Sequence, residues 1–156
     1  MNNASAPNMS GDIRDMMFGF RCTVGQRNRN QAALYLKLMV EELCETIEAQ
    51  AEDTSPVRND IEQARILLER SISSLAVVDD VKLFDGGLDV MVVTLGFLHS
   101  MGYPVEEGWR IVHTANMAKI DPATGFVRQR EDGKVLKPEG WLPPDPALEE
   151  LLRLAA

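Results

Sequence analysis

Apolar residues recur along this chain in steps of three and four, a spacing that predicts helices. Between Gln31 and about Glu52 the positions Leu34, Leu38, Leu43 and Ile47 share a helical repeat that no Gly or Pro interrupts. Asp53-Thr54-Ser55-Pro56 reads as a helix stop followed by a start, with Pro56 near the first helical position. A helix then runs to about Ala76 on Ile61, Ala64, Leu67, Leu68, Ile72 and Leu75. After a short connector over Val77 to Lys82, the stretch from about Leu83 to Met101 is apolar nearly all round, which predicts a central place in a bundle. Gly102-Tyr103-Pro104 ends it, and another helix follows from about Val105 to Lys119. Ahead of these lie a disordered start over residues 1–10, a short helix from Asp12 to about Arg21 capped near Ser10 or Gly11, and a polar loop from Val24 to Asn30.

Beyond Asp121 the pattern changes. Gly, Pro and charge dominate as far as Pro144, and Phe126 to Arg130 and Lys134 to Lys137 flank Glu131-Asp132-Gly133 as a small hairpin. Ala147 to Leu154 predicts a short terminal helix. The expectation is an all-α fold, an antiparallel bundle of four to five helices, as a single domain over residues 1–156 with a hairpin-like extension over 121–145.

Composition narrows the function. With 156 residues, 45% hydrophobic and 26% charged, the chain has the make-up of a soluble globular domain. A net charge of −8 argues against nucleic-acid or anionic-membrane partners, which need an excess of Lys and Arg. A small phosphorylated ligand needs only local cations. Cys22 and Cys44 form no zinc-type spacing with His99 and His113, and two free thiols with no apolar leader point to the cytoplasm. The longest apolar run, Leu88 to Leu98, is too short to span a bilayer.

Acid placement carries the first chemistry. Glu41, Glu45, Glu48 and Glu52 form one helical stripe, with Glu42 on its shoulder and no Lys or Arg between Glu41 and Glu52. An ordinary solvated face accounts for that stripe equally well. Asp85 and Asp89 tilt the balance: they are four apart, and Asp89 precedes Val90-Met91-Val92-Val93-Thr94-Leu95. A carboxylate at the edge of such a run is expected partly buried, hence paired with an Arg or bound to a cation. An all-oxygen set, without His or Cys, favours Mg²⁺ or Mn²⁺. A ferritin-like di-iron site would need Glu-x-x-His, which neither histidine supplies. Cys44, inside the acid motif, reads as a small core residue whose thiol the carboxylates push up.

A polyphosphate held at such a site needs cations too. Candidates gather after the fifth helix: Asn116, Lys119, Arg128, Arg130, Lys134 and Lys137. Arg128 and Lys134 serve equally to keep a hairpin soluble. Trp141 either packs over a base or closes the end of the bundle.

Together these blocks resemble the all-α nucleoside triphosphate pyrophosphohydrolases, the superfamily of MazG-like enzymes, dimeric dUTPases and phosphoribosyl-ATP pyrophosphohydrolase. Glu41-Glu42-Leu43-Cys44-Glu45 matches its E-E-x-x-E helix motif. Asp85 to Val93 is similar to its second motif, E-x-x-D before an apolar run. Asn116-Met117-Ala118-Lys119, Asp132-Gly133-Lys134-Val135-Leu136-Lys137 and Pro143-Pro144-Asp145 resemble the N-M-x-K, D-G-K-x-x-K and P-P-D ending of its MazG-like members. One position departs: Gly86 stands three before Asp89, and the acid is Asp85, four before it. The resemblance implies Mg²⁺-dependent cleavage of a nucleoside triphosphate to the monophosphate and pyrophosphate, in nucleotide-pool housecleaning. It implies that Glu41, Glu42, Glu45 and Asp89 are catalytic, that these with Asp85 hold the metal, and that Asn116, Lys119, Lys134 and Lys137 contact phosphates. It also implies a homodimer or homotetramer. Two alternatives stay open: hydrolysis of phosphoribosyl-ATP in histidine synthesis, and, from the missing acid at Gly86, a regulatory nucleotide- or metal-binding protein with weak turnover.

Overall fold

The computed structural model describes residues 7–52, 55–76, 79–131 and 135–155. Their elements run α1 (Met9–Gly19), α2 (Arg29–Glu48), α3 (Val57–Ile72), α4 (Asp80–Ser100), α5 (Val105–Met117), β1 (Ile120–Asp121), β2 (Phe126–Gln129), β3 (Val135–Leu136) and α6 (Asp145–Ala155). The fold is all-α with one small three-stranded sheet in the order β1-β2-β3. Contacts divide the chain into two compact units, Gln26–Asp80 and the remainder.

The first of these units is the α2–α3 pair. The side chain of Asn28 caps α2 by accepting from the Gln31 amide at 3.1 Å, so the helix starts two residues earlier than its apolar pattern suggests. Its far end is tied down by Arg58, at the start of α3. Arg58 donates to the carbonyls of Glu48, Ala51 and Glu52 at 3.2, 3.1 and 3.3 Å, which satisfies groups that a helix end leaves open. That stops α2 at Glu48 rather than at Glu52. Cys44, Ile61 and Ile72 are the buried side chains here. Leu34 and Leu43, expected to face a core, are 54% and 59% exposed.

The second unit gathers α1, α4, α5, the sheet and α6. The start expected to be disordered is helical from Met9, because Asn8 caps α1 by accepting from the Gly11 amide at 3.1 Å. At its other end Arg21 takes a left-handed φ of 60°, and the Cys22 amide closes back on the Met17 carbonyl at 2.8 Å. Helix α1 packs on α5 and β2. Trp109 of α5 donates to Asp12 of α1 at 2.7 Å, and its ring stacks on His113. Helix α6 begins at Asp145, ahead of the predicted Ala147, and lays Leu148 and Leu151 over Gly108 of α5.

The predicted hairpin forms as β2 and β3, with Arg128 opposite Leu136 and Gln129 opposite Val135. Strand β1 adds to β2 with Ile120 opposite Val127. Asp121 organises the connecting turn: its side chain accepts from the Ala123 amide at 2.9 Å and its carbonyl from Gly125 at 2.8 Å. Gly125 sits at φ +73°, open to glycine at little cost.

Helix α4 departs most from expectation. It was predicted to be central, yet none of its residues is buried. Phe84, Met91, Val92 and Val93 are 71%, 52%, 66% and 66% exposed. An all-round apolar helix reads the same whether its own chain or another covers it.

Candidate functional site

The acidic candidates fall on both units. On α2, Cys44 marks the side packed on α3. At about 100° per residue, Glu48 lies about 40° from Cys44, Glu41 about 60°, Glu45 about 100° and Glu42 about 160°. Position along the helix divides the stripe. Glu48, at the end of α2 where Arg58 reaches it, pairs with Arg58 at 3.7 Å. Glu41, Glu42 and Glu45 are exposed and have no ion-pair partner among the described residues. Glu52 lies beyond the helix end. The Glu42 carboxyl is held above its ordinary value, chiefly by partial burial and then by the charges of Glu45 and Glu41.

Cys44 is buried with 7% of its surface exposed, and burial is the main cause that pushes its thiol up. Arg65 opposes that shift, and Glu48, Glu62 and Glu69 add to it. Arg65 itself is engaged by Glu62 and Glu69 of α3 at 2.8 and 2.7 Å. Cys44 is therefore core, and Cys22 and Cys44 form no disulfide.

Asp85 and Asp89 stand on one side of α4 and both are exposed, Asp89 contrary to the partial burial expected of it. Taking Leu88 as reference, Phe84, Met91 and Val92 fall within about 60° of it, while Asp85 and Asp89 lie about 60° and 100° to one side. The two carboxylates thus border the exposed apolar face. Added Cβ atoms at Gly86 and Gly87 would meet nothing within 4 Å. Among the described residues no three His, Cys, Asp or Glu side chains converge into a ready-made metal cage.

The cationic candidates do converge, in part. Asn116 in the last turn of α5 accepts a hydrogen bond from the Lys119 ammonium at 2.9 Å. Lys119 lies 5.2 Å from the centre of the Trp141 ring, and Lys137 lies 4.3 Å from it. The Trp141 indole N–H donates to the Ala115 carbonyl at 2.7 Å. A tight turn brings Trp141 back beside Lys137: the Trp141 amide donates to the Pro138 carbonyl at 3.1 Å, with Gly140 at φ +74°. Neither ammonium has a carboxylate partner among the described residues. Burial, and then the charge of Lys137, hold Lys119 below the ordinary lysine range.

The other basic candidates sit elsewhere. Arg128 is spent within the sheet, reaching Asp121 at 3.0 Å from the next strand. Arg130 is exposed just past β2, and Lys134 lies outside the described residues. Trp141 lies at the end of α5, where its indole donates to Ala115. The sequence did not reveal that it also gathers two lysines. The signal was there in Pro138-Glu139-Gly140, a turn that folds Trp141 back on Lys137.

Comparison with known proteins places these residues in a family. The profile of the phosphoribosyl-ATP pyrophosphohydrolase family matches residues 24–116, which include both acid motifs and end at Asn116. The chain belongs to that family. It also resembles a crystal structure described as a "putative NTP pyrophosphohydrolase" from Exiguobacterium sp. 255-15, with a TM-score of 0.76 and 24% identity over 96% of each chain. That likeness establishes a shared fold. No curated protein matches. Among the described residues no helix is long and apolar enough to cross a membrane.

Proposed function

We propose that this protein is a Mg²⁺-dependent nucleoside triphosphate pyrophosphohydrolase that converts a (d)NTP to the (d)NMP and pyrophosphate. Membership of a pyrophosphohydrolase family sets the reaction type. The observation that carries the substrate class is the pair of ammonium groups, Lys119 and Lys137, held at one indole with no carboxylate partner among the described residues. Two such adjacent cations in a chain of net charge −8 suit a polyanion.

The donor set fits the metal. Glu41, Glu42, Glu45, Asp85 and Asp89 offer only carboxylate oxygens, the donors Mg²⁺ and Mn²⁺ prefer, and none is engaged by Lys or Arg among the described residues. When bound, the ion polarises phosphoryl oxygens and lowers the pKa of a coordinated water. The chain's own residues do the rest. Lys119 and Lys137 bind the polyphosphate chain of the substrate. Asn116, whose oxygen serves Lys119, keeps its amide N–H groups for a phosphate oxygen. The water oxygen bonds to the α-phosphorus and a carboxylate of α2 takes the water's proton. The bridging bond breaks and pyrophosphate leaves with the electron pair.

The working form is a homo-oligomer with α4 covered by a second copy. Phe84, Leu88, Met91 and Val92 form an exposed apolar face at helical spacing, too continuous to leave in water. Asp85 and Asp89 at its border then lie beside the partner chain. The location in the cell that fits is the cytoplasm.

Purified protein incubated with a panel of NTPs, dNTPs and modified nucleotides, with Mg²⁺ or Mn²⁺, should release pyrophosphate from at least one, and Glu42→Gln should cut that rate by about 100-fold. No release from any nucleotide with either metal overturns the reading. The family description favours a second substrate, phosphoribosyl-ATP, which carries the same anhydride. Including it in the panel separates the two.

A further inference from the structure

Two lysines that repel one another do not settle at one ring unless something holds them there. Lys137 pushes the Lys119 ammonium toward losing its proton, and burial pushes the same way. Opposing both is Trp141, whose indole attracts each cation and is itself tied to the Ala115 carbonyl at the end of α5. The residues come from distant positions: Asn116 lies in the last turn of α5 and Lys119 just past it, while Lys137 and Trp141 follow β3. The indole contacts both lysines.

We propose that Trp141 is a positioning residue that sets the separation and direction of the Lys119 and Lys137 ammonium groups, so that together they receive one polyphosphate chain. The proposal rests on the pyrophosphohydrolase reading for its substrate and adds the residue that organises the phosphate side. The indole need not touch the nucleotide. Its N–H is already spent on Ala115, and its π-system on the two cations. Polyanion binding satisfies the ammonium groups, raises the affinity of Lys119 for its proton and alters the field at the indole. Trp141 fluorescence therefore reports binding.

The test titrates tripolyphosphate into the metal-free full chain, followed by calorimetry and indole fluorescence, and measures nucleotide turnover separately. Trp141→Leu should weaken tripolyphosphate binding about tenfold and Trp141→Phe, which keeps a π-face, about threefold. KM for the nucleotide should rise in parallel while kcat stays within about twofold, the mark of lost ground-state binding. In Trp141→Leu the alkaline fall in tripolyphosphate affinity should move to lower pH, since the ring that favours the Lys119 cation is gone. Trp109→Phe should leave tripolyphosphate affinity unchanged and keep the fluorescence response. If Trp141→Leu fails to fold, a double-mutant cycle of Trp141→Phe with Lys137→Met replaces it, and Lys137→Met must then cost less in the Trp141→Phe background. Equal tripolyphosphate affinity in wild type and the Trp141 variants, additive losses in the cycle, or a fall in kcat at unchanged KM overturns the proposal. Because this binding readout needs no turnover, failure of the nucleotide panel would overturn the activity alone. Failure of the titration with turnover intact would overturn only the role of Trp141.

Discussion

Asn116, in the last turn of α5, meets Lys119 just past it, the Lys119 ammonium donating to Asn116 Oδ1 at 2.9 Å. A pH dependence follows from this contact and its surroundings. Burial and then Lys137 depress the folded pKa of Lys119, so the unfolded chain binds that proton more tightly. The cost to folding is present at pH values below the folded pKa and is relieved as pH rises toward the ordinary lysine range. A bound polyanion reverses the effect. Tripolyphosphate binding should therefore take up a proton and weaken over an alkaline range that lies below the one an unperturbed lysine would dictate. Calorimetry in buffers of differing ionisation enthalpy measures the uptake, and a flat affinity over that range would contradict it. Lys119→Met should lose at least about tenfold in affinity while leaving the ligand-free protein no less stable.

Gly19, at the end of α1, is buried where β1 passes. A Cβ there would collide with Ile120 Cδ1 and come within 2.9 Å of its Cγ1. Gly19→Ala should cost about 1–3 kcal/mol by overpacking, read as a lower denaturant midpoint at unchanged slope. Adding Ile120→Val should recover part of that loss, because it removes the methyl in the way. A second change that only adds to the first would argue against a shared contact.

The helices were legible because Leu34, Ile61, Leu67 and their neighbours repeat at helical spacing, a local property. Ends were less so. Asn8 and Asn28 start α1 and α2 through side-chain caps that hydrophobic periodicity does not register. The two residues of β1 are too few to show any alternation. Within the site, the acids of α2 could be placed by rotation alone, since one helix carries them. That Arg58 would claim Glu48, or Arg128 claim Asp121, depends on which elements adjoin. The gathering of Lys119 and Lys137 needed the hairpin and the turn before Trp141 to return the chain to α5. The exposure of α4 was hidden for the opposite reason, since composition does not say which chain covers an apolar face.

Asp85 stands four residues before Asp89, and Gly86 occupies the place, three before, where the motif it resembles would put an acid. If Asp85 supplies the missing ligand, Asp85→Asn should abolish the Mg²⁺-dependent rise in Tm and lower pyrophosphate release by about 100-fold. The double variant Asp85→Asn, Gly86→Glu should restore both in part. Space allows it, because a Cβ at Gly86 meets nothing within 4 Å. Replacing a mid-helix glycine should also add about 0.5–1 kcal/mol to stability, measurable without metal. Full Mg²⁺ stabilisation in Asp85→Asn alone would remove Asp85 from the site.

Val92 of α4 is 66% exposed, so within one chain a charged side chain there is close to neutral. Between two copies it would be costly, because a carboxylate would be stripped of water on an apolar face shared with Phe84, Leu88 and Met91. Val92→Glu should therefore leave the helical circular dichroism unchanged while weakening self-association by about 30-fold or more, as expected for a charge in an interface core. Sedimentation across a concentration series measures it. Activity should fall at low protein concentration and recover at high, since Asp85 and Asp89 border the same face and would act beside the partner chain. Val92→Ile, which enlarges the apolar contact, should tighten association or leave it unchanged. A mass that matches one chain in the wild type, at concentrations where the enzyme turns over, would show that α4 works uncovered.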